Sequence, residues 1–573
     1  MGDTWELINH PMSDETGLEL AAQMKRQNDI LAGIAAGTAG AEFVDATFRG
    51  LLDGKNTTEI FWSWWPLSAG DGVTKYQRLE RFAKMLAESA RSKTYTVRFY
   101  SDDVSGDYTG TPLDDLADGR EAAPLLTDAS PETADWSEED PFTWYIRANA
   151  LSLEDGTMNV LAVEGETGFD LSGETAPVYC FALSLMLKEW EDGAYIYNSW
   201  RTFSGGGYEP MDVAPDKSRR WLTWHPAFYG GKNSKGGMTS GAGLPPMPWT
   251  SANAAIPLAR KITAYDALWT DCDQQYVLAQ WRLRHGTLSN SGKLEGCTVY
   301  SYQYTPAAAE TGVKRVLVTK AQGANFIVGS AVCMGERGEN TSADRNLSYN
   351  HDIFNWAKIS SITNVTVNDT EYAALNLELD APINTTTTML VSTMPWESGT
   401  TECVPGHSDG CRGSLTNGKY PYRVAGIEMQ IGAYIEQLDP LWKASIVDDD
   451  HWHYDVFSCK SGEKQVGSIS SDYAQTGSFD LNDKVAWSWH YIRKLGKLGA
   501  EAMMYEKFNG SGSTYVRAAF YSPSSAGLCA PWRGGHLVDG ANCGLPCAYG
   551  DVSPAYSYWC GVPRLAGSGK KRG

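Results

Sequence analysis

From about residue 57 the apolar positions follow first one period and then another. Tyr76, Leu79, Phe82, Ala83 and Leu86 recur every three or four residues, which predicts one buried face of an amphipathic helix. At Tyr95 the period becomes two: Tyr95, Val97 and Phe99 alternate with polar residues, the pattern of a half-buried strand. Ahead of both lies Phe61-Trp62-Ser63-Trp64-Trp65, stopped by Pro66. That run belongs in a core or a subunit interface, because large aromatics dominate both. Further upstream, Thr16 and Glu19 form a capping-box pattern before Leu20, Met24, Leu31 and Ile34. Their near-heptad spacing fits either a short oligomerisation stalk or an amphipathic helix packed on its own domain.

Beyond Phe99 the chain reads mainly as strands. Apolar strands, residues 178–187 among them, flank Asp155-Gly156 and Asp192-Gly193, both hairpin-turn signals, so a β-sandwich is the simplest account. Residues 101–140 are acidic and rich in Asp, Gly, Thr and Pro, which reads as a long surface loop. The Gly- and Pro-rich stretch 230–248 marks a boundary, and 265–284 reads as a helix before strands resume near Cys297. Later strands include Val316 to Val318 and the alternating Leu375, Leu377 and Leu379, ending around Thr385 to Thr388 before Gly399. No repeat of fixed period occurs, which excludes a solenoid or propeller. The expected organisation is multidomain: an N-terminal helical segment over 1–92, β-rich, sandwich-like domains over 93–235 and 236–398, and a distinct C-terminal domain over 399–573.

Composition narrows the function classes. A chain of 573 residues exceeds one ordinary core. Its formal charge of −21 repels phosphate backbones, and the one basic cluster is Lys570-Lys571-Arg572, so nucleic acid is not an expected partner. The N-terminal residues lack a secretory pattern and no eighteen consecutive residues are apolar, so neither export by that route nor membrane insertion is expected. Eleven cysteines without regular spacing read as reduced thiols.

From Tyr420 onward the sequence changes character. The segment Tyr422 to Tyr434, the step Trp487-Ser488-Trp489, and the ending Trp532-Arg533-Gly534-Gly535 through Trp559, Gly561 and Arg564 resemble the C-type-lectin fold. More narrowly, they are similar to the variable proteins of diversity-generating retroelements, whose lectin-fold domain is related to the formylglycine-generating enzymes. The likeness covers about the last 150 residues. It implies an α+β C-type-lectin fold for the C-terminal domain, with a variable region over roughly 530–566. It also implies a phage tail fibre that binds a host bacterial surface receptor, protein or glycan, as a homotrimer docked to other tail proteins and carried on the virion.

On that resemblance Trp532, Arg533, Gly534, Gly535, Trp559 and Gly561 form a structural frame. The ligand-binding, variable positions are His536, Leu537, Val538, Asp539, Cys547, Tyr549, Asp551, Val552, Tyr556, Tyr558, Cys560 and Val562. These follow neither a two-residue nor a helical period, so their side-chain chemistry looks uncoupled from folding. Error-prone copying of template adenines in AAC codons yields only codons ending in C, which excludes Lys, Glu, Gln, Met and Trp. From Gly534 to Cys560 only Trp559 belongs to that set. Tyr556 and Tyr558 supply amphipathic contact area at low entropy cost.

Competing chemistry is weaker. Cys543 and Cys547, with Cys529 and Cys560, lack the paired spacing of a zinc site, and Asp448-Asp449-Asp450-His451-Trp452-His453 reads as a solvated acidic turn entering a strand. The expectation is a binding protein with no catalytic residues, no metal and no cofactor. A tail-associated depolymerase with distant acids, or a bacterial variable surface protein, are the rival readings.

Overall fold

The computed structural model describes residues 57–70, 72–101, 110–117, 140–213, 218–290, 294–338, 345, 348–402, 407–408, 411–412, 417–447, 451–481, 485–498, 502–512 and 516–567. The candidate stalk around Leu20 to Ile34, most of the acidic loop, Asp448 to Asp450 and the basic cluster at Lys570 lie outside them.

The aromatic run forms the helix Thr57–Trp64, and its rings enter the core of this chain. Phe61, Trp64 and Trp65 are buried, and Phe61 packs edge-on against Phe82 of the next helix, Lys75–Ser89. That helix starts where expected because Thr74 and Gln77 close a capping box. Tyr95–Tyr100 is a strand with Tyr95, Val97 and Phe99 inward. Both predicted hairpins form, Tyr145–Ser152 with Met158–Val163 and Met186–Asp192 with Tyr195–Arg201.

The apolar run 178–187 is two strands rather than one. Val178–Leu183 lies in a four-stranded sheet, and Met186–Asp192 lies in a five-stranded sheet with Tyr95–Tyr100 and Tyr195–Arg201. The chain changes sheet at Ser184-Leu185, and both sheets feed one core.

The boundary expected at 398/399 does not divide the packing. Helix Asp271–His285 is buried along its whole length, and Ala267–Leu268 pairs with Leu565–Ala566 near the far end of the chain. A single apolar cluster runs from Ile60 to Leu565. What stands apart is a six-stranded sheet within residues 303–394, which has its own core around Val316, Val332, Leu375 and Val391. It is an insertion between Tyr300 and Trp396, both of which belong to the main core. The helix expected over 265–284 begins six residues later, because Thr270 and Asp273 form its capping box, and it ends at Gly286 in the left-handed conformation.

The C-terminal part holds a four-stranded sheet and a six-stranded sheet. Across the latter the order is Trp489–Tyr491, Ala519–Tyr521, Ala548–Tyr549, Trp532–Arg533, Tyr434–Glu436 and Gly561–Pro563.

A fragment beginning at Ser414 therefore lacks the strand that pairs with Leu565–Ala566 and the helix that partners Arg533. It is expected to lose cooperative thermal unfolding in scanning calorimetry. A sharp transition near that of the full chain would show that this part folds without them.

Candidate functional site

The six-stranded sheet carries one row of large side chains on one face. Directly opposed residues share a face, and the register pairs Trp489 with Tyr521, Tyr521 with Tyr549, Tyr549 with Trp532, and Trp532 with Glu436. The rings touch in sequence: Trp489 to Tyr521 at 5.0 Å, Tyr521 stacked on Tyr549 at 4.2 Å, and Tyr434 at 5.3 Å from Tyr549. Tyr556 covers Trp532 at 5.7 Å and stacks on Tyr558 at 5.8 Å. The row grades from half-buried at Trp489, Tyr521 and Tyr549 to buried at Trp532 and Glu436. Tyr556 is 41% exposed and Trp487, two residues before Trp489, is 66% exposed.

Three carboxyls stand among these rings. Asp539 accepts a hydrogen bond from the Tyr434 hydroxyl and one from the His536 backbone N–H at 3.1 Å, and its Oδ2 lies 2.7 Å from His536 Nδ1. Burial pushes the Asp551 carboxyl up to about 7, and its Oδ1 has no hydrogen-bond partner. Glu436 is fully buried with neither oxygen hydrogen-bonded, and desolvation pushes it well above the usual carboxylate range.

The twelve expected ligand-binding positions divide. Val538 and Tyr556 are exposed, and Asp539, Tyr549, Asp551 and Tyr558 are half-buried. His536 is mostly buried, its ring stacked on Trp559 at 5.2 Å. Leu537, Cys547, Val552, Cys560 and Val562 are core residues, which corrects their assignment as contacts: a side chain with no accessible surface does not touch a ligand. Leu537 packs so closely on Gly432 that a Cβ there would lie 2.4 Å from it. The irregular spacing of these positions had hidden the split, because loops and two-residue strands bring alternate residues inward with no fixed period.

The expected frame is buried throughout. Gly534 and Gly535 have φ of 94° and 108°, conformations open to glycine. A Cβ on Gly561 would meet the Trp532 ring at 2.6 Å and Glu436 Oε1 at 2.7 Å, so this glycine is what lets the two lie together. Arg533 is wholly buried, donating to Asp271 at 2.8 and 3.1 Å, to Gln437 at 2.9 Å and to the Tyr505 hydroxyl at 2.5 Å. Burial alone would lower its guanidinium, but the Asp271 carboxylate holds it above its ordinary value. Sequence reading missed Tyr434, Glu436, Tyr521 and Asp271. The one local signal was the polar pair Glu436-Gln437 inside the otherwise apolar run 431–438.

Two catalytic-looking sets are buried. Thr223 Oγ1, His225 Nε2 and Asp273 lie in triad order at 3.2 and 2.8 Å, but all three are buried and Thr223 gives its proton to Asp212 at 2.8 Å. Cys543, Cys547 and Cys560 are buried, and desolvation pushes each thiol well above its usual range. Among the described residues, no three His, Cys, Asp or Glu side chains gather to hold a metal ion, and no helix is long and apolar enough to cross a membrane. No protein-family model and no curated protein matches this chain.

The frame and the face can each be tested by substitution. Arg533→Met removes the ion-pair partner of the buried Asp271 carboxyl and is expected to cost about 3–5 kcal/mol in chemical denaturation. Adding Asp271→Leu should return part of that loss, and strict additivity of the two would rule out the pairing. Asp551 has a folded pKa of about 7 against 3.8 for the free side chain, so its contribution to stability is fullest below 3.8 and falls as pH rises through 7. Asp551→Asn should therefore melt above the parent at pH about 8, with the gap closing towards pH about 4. A pH-independent difference would contradict the burial argument.

Proposed function

We propose that this chain is the receptor-binding tail protein of a bacteriophage, an adhesin that touches its host through the aromatic face of its C-terminal part. On this reading that part has the C-type-lectin fold of retroelement-diversified variable proteins. Its partners are a host bacterial surface receptor, neighbouring tail proteins and further copies of itself in a trimer on the virion.

One observation carries the proposal: the row Trp489, Tyr521, Tyr549 and Trp532, roofed by the exposed Tyr556 and edged by carboxyls at Asp539 and Asp551. Rigid aromatics with adjacent polar groups are what tight recognition surfaces use, and their ordering cost is already met by the stacking. With His536 also set aside, since its ring is mostly buried against Trp559, the positions offered for exchange are now six: Val538, Asp539, Tyr549, Asp551, Tyr556 and Tyr558. Tyr549 serves both purposes, because its ring also braces Tyr521, Tyr434 and Trp489.

Trp487→Ala combined with Tyr556→Ala should lower host adsorption at least about tenfold while leaving the melting temperature unchanged, since central aromatics commonly carry about 2 kcal/mol each. Tyr549→Ala should lower both. Unchanged adsorption by the double variant would sink the assignment of this face.

A further inference from the structure

The five-stranded sheet near the other end of the described chain carries a cleft of its own. Its strands run in the order Thr111–Asp114, Tyr95–Tyr100, Tyr195–Arg201, Met186–Asp192 and Glu209–Pro210. A cleft of about 440 Å³ opens there, lined by Thr94, Asp114, Asp115, Trp190, Ser199, Arg201 and Tyr208. That volume sits in the lower part of the ~300–1,000 Å³ range of small-molecule sites.

The lining has a built polarity. Thr96 Oγ1 donates to Asp114 Oδ2 at 2.5 Å, Ser199 Oγ lies 2.7 Å from Thr96 Oγ1, and Tyr208 Oη lies 2.6 Å from Ser199 Oγ. A hydroxyl has one proton to give. Since Thr96 gives its proton to the carboxylate, Ser199 must donate to Thr96 and Tyr208 to Ser199. The phenol oxygen at the head of this relay therefore meets the cleft as an acceptor, in line with the Asp114 and Asp115 carboxylates. The opposite polarity comes from Arg201. Its Nε donates to Thr94 Oγ1 at 2.8 Å, and its remaining guanidinium N–H groups add donors to the cleft. Aromatic walls complete it: Trp190 is braced flat against Tyr197 at 4.9 Å with a 6° tilt, and Tyr208 lies under Arg201 at 4.7 Å.

Charge decides among ligand classes. An anion meets two carboxylates and an acceptor floor, and a cation meets Arg201 and Lys188, whose Nζ lies 5.3 Å from the Trp190 ring. What satisfies acceptors, donors and aromatic walls together is a neutral polyhydroxy ring with apolar C–H faces. We propose that this cleft is a saccharide-binding site for a neutral pyranose, separate from the C-terminal face.

The test uses the full chain and four free sugars, glucose, galactose, N-acetylglucosamine and rhamnose, in saturation-transfer NMR. At least one should show transfer at millimolar concentration. Trp190→Ala and Arg201→Ala should each weaken it about tenfold. Trp190→Phe should retain it, and Tyr556→Ala on the C-terminal face should leave it unchanged. Arg201 is exposed, so its variant tests the site even if Trp190→Ala fails to fold. The proposal is overturned if none of the four sugars shows transfer, if both alanine variants bind as the parent does, if Tyr556→Ala abolishes the signal, or if inorganic phosphate competes for the same residues.

Discussion

The buried pair between Asp271 and Arg533 is the constraint around which this protein is arranged. Neither charge reaches water, so each is tolerable only while the other is in place, and two segments 262 residues apart must meet. Asp271 opens a helix that is polar in sequence and buried in structure, and the rest of that helix repeats the requirement. Gln274 donates to the Leu545 carbonyl at 2.6 Å, Arg282 to Asn198 at 2.7 Å and Arg284 to the Thr143 carbonyl at 2.7 Å, while Asp273 meets His225 at 2.8 Å. Segments from both the C-terminal and the N-terminal parts of the chain thus satisfy this one helix. A buried polar helix with partners from both parts specifies one assembly, because any slip strands several polar groups at once.

That anchoring holds the strand beneath the aromatic face in place. Arg533 fixes the strand whose preceding residue, Trp532, carries the aromatic row, and Gly561 removes the side chain that would push Trp532 from Glu436. Tyr556 lies over this platform, exposed, with its ring against Trp532 and Tyr558. Five of the residues that looked exchangeable belong to the core, where a change of volume costs stability. The inserted six-stranded module reaches this region as well: Arg345, itself buried, lies over the Trp559 ring at 4.9 Å, and His351 meets Trp249 edge-on at 5.3 Å, with Trp249 in turn near Tyr558. The segment that holds the face is therefore braced from below by the helix and from the side by the module.

The sequence by itself determined the local elements, because period, caps and turns are short-range. The helix face at Leu79, Phe82 and Leu86, the alternation at Tyr95, Val97 and Phe99, and the turns at Gly156 and Gly193 all form where their residue types demand. The glycine and tryptophan frame at the C-terminal end was legible for the same reason, since positive φ and large buried rings have residue-level signatures. Domain grouping was not legible: Ala267–Leu268 pairs with Leu565–Ala566 across almost three hundred residues, and nothing local to either strand announces the other. Nor was the division of residues 536–562 into surface and core, which depends on what packs against each side chain, as Gly432 does against Leu537. The cleft beneath Trp190 is the extreme case. Its hydroxyl relay joins Thr96, Asp114, Ser199 and Tyr208 from four segments, and only the tertiary fold brings four ordinary polar residues close enough to orient one another's protons.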